Sequence, residues 1–184
     1  SLLMNLAHQI GEDKCTIYTQ DISQKSSHLL RLNLILNNLV HSIPNVVQGN
    51  TILHPDNVKK DQKFDYIVSN PPFKLDFSGF RNDLDTKKNN ERFFAGIPKT
   101  PPTKKGKKSM AIYLLFIQHI IFSLKDKGKA AIVVPTGFIT AQKGIGYKIR
   151  EKLIYHKMLN GVITMPSNIF ATTNTNVSVI YISK

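Results

Sequence analysis

The chain has 184 residues, enough for one domain with its own hydrophobic core and no dependence on disulfides or structural metal. With 41% hydrophobic and 20% charged residues it has a globular composition. Its one cysteine excludes an intramolecular disulfide and a cysteine-built zinc site, and no apolar run approaches the ~20 residues of a membrane-spanning helix. Twenty-five Lys and Arg against twelve Asp and Glu leave a net charge of +13, which points either to an anionic partner, nucleic acid foremost, or to a solvated basic surface.

Residues 1–10 place Leu3, Leu6 and Ile10 at helical spacing, and Gly11 stops the run. Residues 15–20 are rich in strand formers and end at Asp21. A helix is predicted over 24–40, with Leu29, Leu32, Leu36, Leu39 and Val40 on one side. A short strand over 44–48 leads into Gly49-Asn50-Thr51. Residues 64–69 (FDYIVS) form an apolar strand that runs directly into Asn70-Pro71-Pro72-Phe73.

Regularity then breaks. Residues 74–108 carry +6, nearly half of the net charge, on Arg81, Lys87, Lys88, Arg92, Lys99, Lys104, Lys105, Lys107 and Lys108 among others. Gly96, Pro98, Pro101, Pro102 and Gly106 forbid long helices, so the segment is predicted to be a long basic loop. A loop of that length in a compact domain is usually functional or disordered, and contact with a nucleic-acid backbone is the functional reading. Residues 110–124 read as a largely buried helix, in which His119 is expected to be a satisfied core histidine; Cys15 is likewise expected in the core. A turn over Lys125–Gly128 precedes a strand at 129–134, which ends at Pro135-Thr136. A helix over 143–154 and strands at 159–165 and 177–182 follow, the last two able to pair as an antiparallel edge.

Strands separated by helices imply a mostly parallel α/β sheet with helices on both faces. In such sheets ligands bind beyond the carboxyl ends of the strands. Asp21, Asn50, Asn70 and Thr136 all follow strands, where the architecture puts a site.

Asn70-Pro71-Pro72-Phe73 carries the sharpest chemistry. Taken alone it is a proline-rigid exit from a strand. In its context it suits the activation of an exocyclic amine, whose lone pair is delocalised into an aromatic ring. The Asn70 carboxamide oxygen can accept one N–H of that amine and the Pro71 carbonyl the other. Prolines fix φ and carry no N–H, so those acceptors are held at little entropic cost. Phe73 offers a ring on which a flipped base can stack, and Phe170 is a weaker candidate for a second aromatic wall.

The ordered set of segments resembles S-adenosylmethionine-dependent amino-methyltransferases. More narrowly, it resembles the modification (M) subunit of type I restriction-modification systems, which are N6-adenine DNA methyltransferases. The segments are Ile17–Asp21, Gly49–Leu53, Phe64–Phe73, Arg92–Pro98, Gly128–Pro135, Ile149-Arg150, Val162–Pro166 with Ile169-Phe170, and Val179–Lys184. The resemblance implies a Rossmann-like methyltransferase fold in one catalytic domain over 1–184, with 74–108 as a basic insertion. It implies S-adenosylmethionine as cofactor, with Asp21 at the ribose, Ile22 also among the cofactor-binding residues, Asn50 and Thr51 near the adenine, and Asn70, Pro71, Pro72 and Phe73 as the catalytic segment. It implies DNA as substrate, a specificity subunit and a restriction subunit as partners, no metal, no membrane, and a bacterial cytoplasmic setting.

The departures are specific. The family's first strand and Gly-rich turn would lie just before Ser1, so the resemblance implies an incomplete cofactor pocket and little or no activity in this chain by itself. The family's acidic residue in the third segment is Asn50 here, and its Thr-Gly-Ile stretch reads Thr173-Asn174-Thr175. Two other functions compete: an amino-methyltransferase acting on a protein glutamine or on RNA, and a non-catalytic DNA-binding remnant.

Overall fold

The structure is a computed structural model, and it describes residues 2–56, 62–167 and 175–184. It divides into two compact units, Ser1–Gln62 and Lys63–Lys184.

In the first unit, helix α1 (Leu2–Ile10) ends at Gly11, whose φ of 101° few other residues adopt, and a 3-10 turn follows at Glu12–Lys14. The strand expected over 15–20 narrows to β1 (Thr19–Asp21). The Ile17 N–H instead meets the buried Ser42 hydroxyl at 2.9 Å. Helix α2 (Gln24–Leu36) starts at Ser23, whose hydroxyl accepts the Ser26 N–H. It ends four residues earlier than its apolar pattern suggests. Asn38 takes a left-handed φ of 57°, and the Leu39 N–H returns to the Leu34 carbonyl at 2.8 Å. This is a Schellman ending, closed by contact of the fully buried Leu34 and Leu39.

The buried face of α2 also differs from the expected one. Leu30 and Leu34 pack inward with Ala7, Ile17 and Val46. Leu29, Leu32, Leu36 and Val40 are exposed. Leucines surround this helix, so periodicity alone could not choose between faces. Strand β2 (Val46–Gln48) pairs parallel with β1, in register Asp21↔Gln48.

In the second unit, a four-stranded sheet has the order β3-β4-β6-β5. Its strands are β3 (Phe64–Ser69), β4 (Leu124–Pro135), β5 (Leu159–Thr164) and β6 (Val177–Ser183). β3 and β4 are parallel, and β6 runs antiparallel between β4 and β5. The expected antiparallel partnership of the last two strands is thus present, with β5 rather than β6 at the edge. β4 is longer than the predicted 129–134 because the turn residues 125–128 bulge within it. The pairing steps from Phe64↔Leu124 to Tyr66↔Lys129. A Cβ on Gly128 would stand 2.9 Å from both the Lys125 and Phe64 carbonyl oxygens, so this close approach requires glycine.

The segment 74–108 has no long helix, as its prolines and glycines predict, but short elements order it. It carries α3 (Arg81–Leu84), a 3-10 turn at Lys87–Asn89, and α4 (Lys104–Lys108). Buried Phe77, Leu84, Phe93 and Ala95 anchor it. Helix α5 (Tyr113–Ser123) is buried along most of its length, as its composition predicts. The short α6 (Gly137–Thr140) and α7 (Gly144–Tyr155) complete the unit. The core joins Ile117, Ile120 and Ile121 of α5 to Ile132 and Val134 of β4, Ile149 and Leu153 of α7, and Ile180 and Ile182 of β6.

Gln118 holds the segment to α5. It is fully buried, and its Oε1 accepts the Ala95 N–H at 2.8 Å. Its Nε2 donates to the Gly96 and Leu114 carbonyls at 3.0 and 3.1 Å. Gly96 sits at φ 99°, a conformation that lets the turn present its carbonyl. Gln118→Leu would leave the Ala95 N–H and Gly96 carbonyl without this partner. It is expected to cost about 1–3 kcal/mol, read as a lowered urea midpoint with unchanged slope. A midpoint equal to wild type would contradict the role.

Candidate active site

The chain leaves β3 at Ser69, which lies opposite Ile132 of the central strand β4. Parallel pairing to a buried neighbour therefore fixes where Asn70-Pro71-Pro72-Phe73 begins. Pro71 is buried, Asn70 and Pro72 are exposed, and Phe73 is half-buried. The Asn70 carboxamide has no hydrogen-bond partner among the described residues, so its acceptor oxygen is available. Just downstream, the Leu75 N–H donates to the Met110 carbonyl at 3.1 Å, tying the exit of the motif to the residues that open α5.

Phe73 meets Tyr113 edge-on, with centroids 6.3 Å apart and planes at 79°. Tyr113 meets the buried Phe138 in the same manner, at 6.2 Å and 88°. Phe138 follows β4 as Asn70 follows β3, so three aromatic rings link the carboxyl ends of two parallel strands. Burial raises the Tyr113 phenol above its ordinary pKa, so it stays protonated at neutral pH. Thr136, also expected at a strand end, donates its N–H to the Asn176 carbonyl at 2.9 Å. Its hydroxyl lies 3.1 Å from that of the buried Ser178. Phe170 and the stretch Thr173-Asn174 lie outside the described residues.

In the first unit, the expected cofactor residues converge at the carboxyl ends of two adjacent parallel strands. The Gly49 N–H donates to the Asp21 carbonyl at 2.9 Å. Asp21 is exposed, and one carboxylate oxygen accepts the Ser23 N–H at 2.7 Å. Ser23, not Asp21, caps α2. Ile22 is 71% exposed. Asn50 Oδ1 accepts the N–H groups of Ile52 and Leu53 at 3.0 and 3.1 Å, an Asx turn that uses its oxygen locally and leaves its amide as a donor. The Thr51 hydroxyl donates to the Gln20 carbonyl at 3.2 Å. Gln20 in turn reaches the His54 carbonyl and Asp56, closing the turn after β2.

These residues fit part of a nucleoside-bearing cofactor. The Asp21 carboxylate has lone pairs to spare for the hydroxyls of a ribose, and Asn50 can donate to a ring nitrogen. Among the described residues no cluster of His, Cys, Asp or Glu could hold a metal, and no helix is long and apolar enough to cross a membrane.

The basic segment is sorted by the fold. Arg92 is buried, and its Nε donates to His119 Nδ1 at 3.1 Å. Burial pulls the guanidinium down to about 10. Burial first, then the Arg92 and Lys63 charges, pull His119 down to about 3, so its ring is neutral and accepts. The satisfied core histidine is observed; the expected surface role of Arg92 is not, because its charge is withdrawn from solvent. Arg81 pairs with Asp85 at 2.6 Å. Lys87, Lys88, Lys99, Lys104, Lys105 and Lys108 remain exposed. Cys15 is only half-buried against its unit's core, and burial raises its thiol pKa.

Tyr113 and Gln118 escaped the sequence reading, and Arg92 entered it only as a basic residue and the start of Arg92–Pro98. The apolar run 110–124 masked the first, and Arg92 was indistinguishable from its basic neighbours. Gln118 left a signal: an uncharged polar residue inside an otherwise apolar helix needs buried partners.

The second unit thus has a parallel sheet interrupted by one reversed strand, with Asn-Pro-Pro-Phe at the exit of β3. The chain superposes on a class I S-adenosylmethionine-dependent methyltransferase from Listeria monocytogenes with a TM-score of 0.52 at 14% identity, covering 100% of this chain and 58% of that one, a likeness of fold alone. It superposes more fully on the methyltransferase subunit of a type I restriction-modification system from Streptococcus thermophilus: TM-score 0.76, 25% identity, 100% of this chain and 37% of that one.

The family model for N-6 DNA methylases matches residues 1–184, and the chain belongs to that family. It is 29% identical over 195 aligned residues to the Mycoplasma pneumoniae type I restriction enzyme MpnII methylase subunit, covering 100% of this chain and 34% of the relative. The chain thus spans about a third of the length of this relative.

Proposed function

We propose that the chain is the catalytic part of an N6-adenine DNA methyltransferase using S-adenosylmethionine within a type I restriction-modification system. The observation that carries the reading is the Asn70-Pro71-Pro72-Phe73 exit from β3, with an exposed carboxamide free of local partners. One family model running over residues 1–184 supports treating both units as parts of one catalytic domain.

Asn70 would accept one N6–H of a flipped adenine and the Pro71 carbonyl the other, turning the nitrogen lone pair outward. Phe73 would stack on the base. Asp21 would hold the cofactor ribose, Ile22 would pack against the cofactor, and Asn50 and Thr51 would lie at its adenine. The cofactor would supply a methyl group on positively charged sulfur, which leaves as a neutral thioether, so no strong base is required. After the new N–C bond forms, the amine's proton passes to water. On this reading sequence choice and cleavage would fall to separate specificity and restriction subunits, a division of labour that the relative's name as a methylase subunit supports. With DNA as its substrate, the protein would act in the cytoplasm of a bacterium.

Single-molecule sequencing of host DNA with the gene intact and disrupted tests the reading. Loss of N6-methyladenine at one sequence motif is expected on disruption. Unchanged DNA with methyl loss from a protein glutamine or from RNA would replace it with the competing substrate, and no methyl loss anywhere would leave a binding role alone.

The exposed lysines supply a second expectation. DNA affinity should fall steeply with salt. Replacing Lys104, Lys105 and Lys108 together by Gln should reduce the slope of log K against log salt by up to about 3. An unchanged slope would remove α4 from the interface.

A further inference from the structure

We propose that Tyr113 is a positioning residue for methyl transfer, setting the plane of the Phe73 ring on which the target base stacks. The proposal rests on the reading of Asn70–Phe73 as the catalytic segment. Phe73 is half-buried and follows two prolines, which stiffen its backbone but leave its ring free to turn about its own side-chain torsions. Tyr113 stands edge-on to that ring at 79°, and the buried Phe138 stands edge-on to Tyr113 at 88°. Edge-to-face contact is a favoured aromatic geometry and is directional, unlike general apolar burial. Tyr113 is held independently. It is the first residue of the buried α5, and the hydrogen bond from Leu75 to Met110 keeps the start of that helix beside the motif. Phe138 is 1% exposed within the main core, so the relay ends on a rigid support.

A stacking platform must lie parallel to the base it receives. If the ring of Phe73 tilts, the base tilts with it, and its N6 leaves the acceptors of Asn70 and Pro71. Small misplacement of reacting groups is costly because alignment is a large part of the rate. The Tyr113 hydroxyl has no recorded hydrogen-bond partner among the described residues, which assigns the role to the ring rather than to the oxygen.

The test uses the native assembly and a duplex carrying its methylated site, with 2-aminopurine at the target for fluorescence. Tyr113→Phe should keep kcat within about threefold of wild type. Tyr113→Leu, which keeps an apolar side chain and helix propensity but removes the ring, should lower kcat about 10- to 100-fold with little change in KM. Its 2-aminopurine emission should rise as stacking loosens. The double variant Tyr113→Leu with Phe73→Ala should be no slower than Phe73→Ala alone, since one residue acts through the other. Multiplying defects in the double variant would overturn the proposal, as would a Tyr113→Phe defect equal to that of Tyr113→Leu. So would a kcat for Tyr113→Leu equal to wild type. Failure of the underlying reading looks different: Asn70→Ala would then methylate normally.

Discussion

Asn70→Ala is expected to lower the methylation rate by about 100- to 1,000-fold, the usual effect of deleting one preorganised hydrogen-bonding group from a reacting centre. The side chain is exposed and makes no recorded hydrogen bond within the described residues, so its removal should leave the fold intact. Thermal melting should therefore match wild type, while tritiated methyl incorporation into duplex DNA collapses. Asn70→Asp keeps an acceptor oxygen and should lose less. An alanine variant with wild-type turnover would remove Asn70 from the chemistry and, with it, the proposed mode of amine orientation. A variant that melts early would show that the residue supports the turn instead.

Acidification is expected to destabilise the second unit through His119. Its pKa is about 3 in the folded protein, against about 6.5 for an unperturbed histidine, which stands for the unfolded chain. Between those values the unfolded chain binds the proton and the folded one does not. Stability from this group is therefore complete above pH 6.5 and is lost as pH falls toward 3. Each pH unit in that window is worth about 1.4 kcal/mol at most, so up to roughly 3 kcal/mol should go between pH 6.5 and pH 4. The cause is burial beside Arg92, whose Nε–H needs the lone pair that protonation would remove. His119→Gln retains an acceptor and cannot charge. Urea titrations across this range should show a shallower pH slope for the variant, and equal slopes would refute the assignment.

Much of the fold was legible because its signals are local. FDYIVS is a short apolar run that stops at Asn70 and two prolines, so β3 and its exit appear where the sequence put them. KAAIVV lies within β4, and YLLFIQHIIFS is α5. The grouping of Asp21 with Asn50 also followed from strand order, since sequential strands in such sheets pair in parallel. Boundaries were less legible. The left-handed turn at Asn38 ends α2 early, and a bulge lets β4 start before its apolar run. Which face of α2 is buried was not legible at all, because leucines line both sides.

The site divides in the same way. By itself the sequence determined the chemistry on offer: a carboxamide and a carbonyl held by prolines after a strand, an aromatic ring beside them, and a surplus of positive charge. These depend on residue type and neighbours within a few positions. Only the tertiary structure decided which charges face solvent, withdrawing Arg92 to His119 and pairing Arg81 with Asp85 while leaving α4 exposed. It also decided that Tyr113 stands between Phe73 and Phe138, and that Gln118 fastens the basic segment to the core. Burial, ring orientation and pKa arise from groups 20 to 60 residues apart in the chain, and desolvation exists only once those groups have packed.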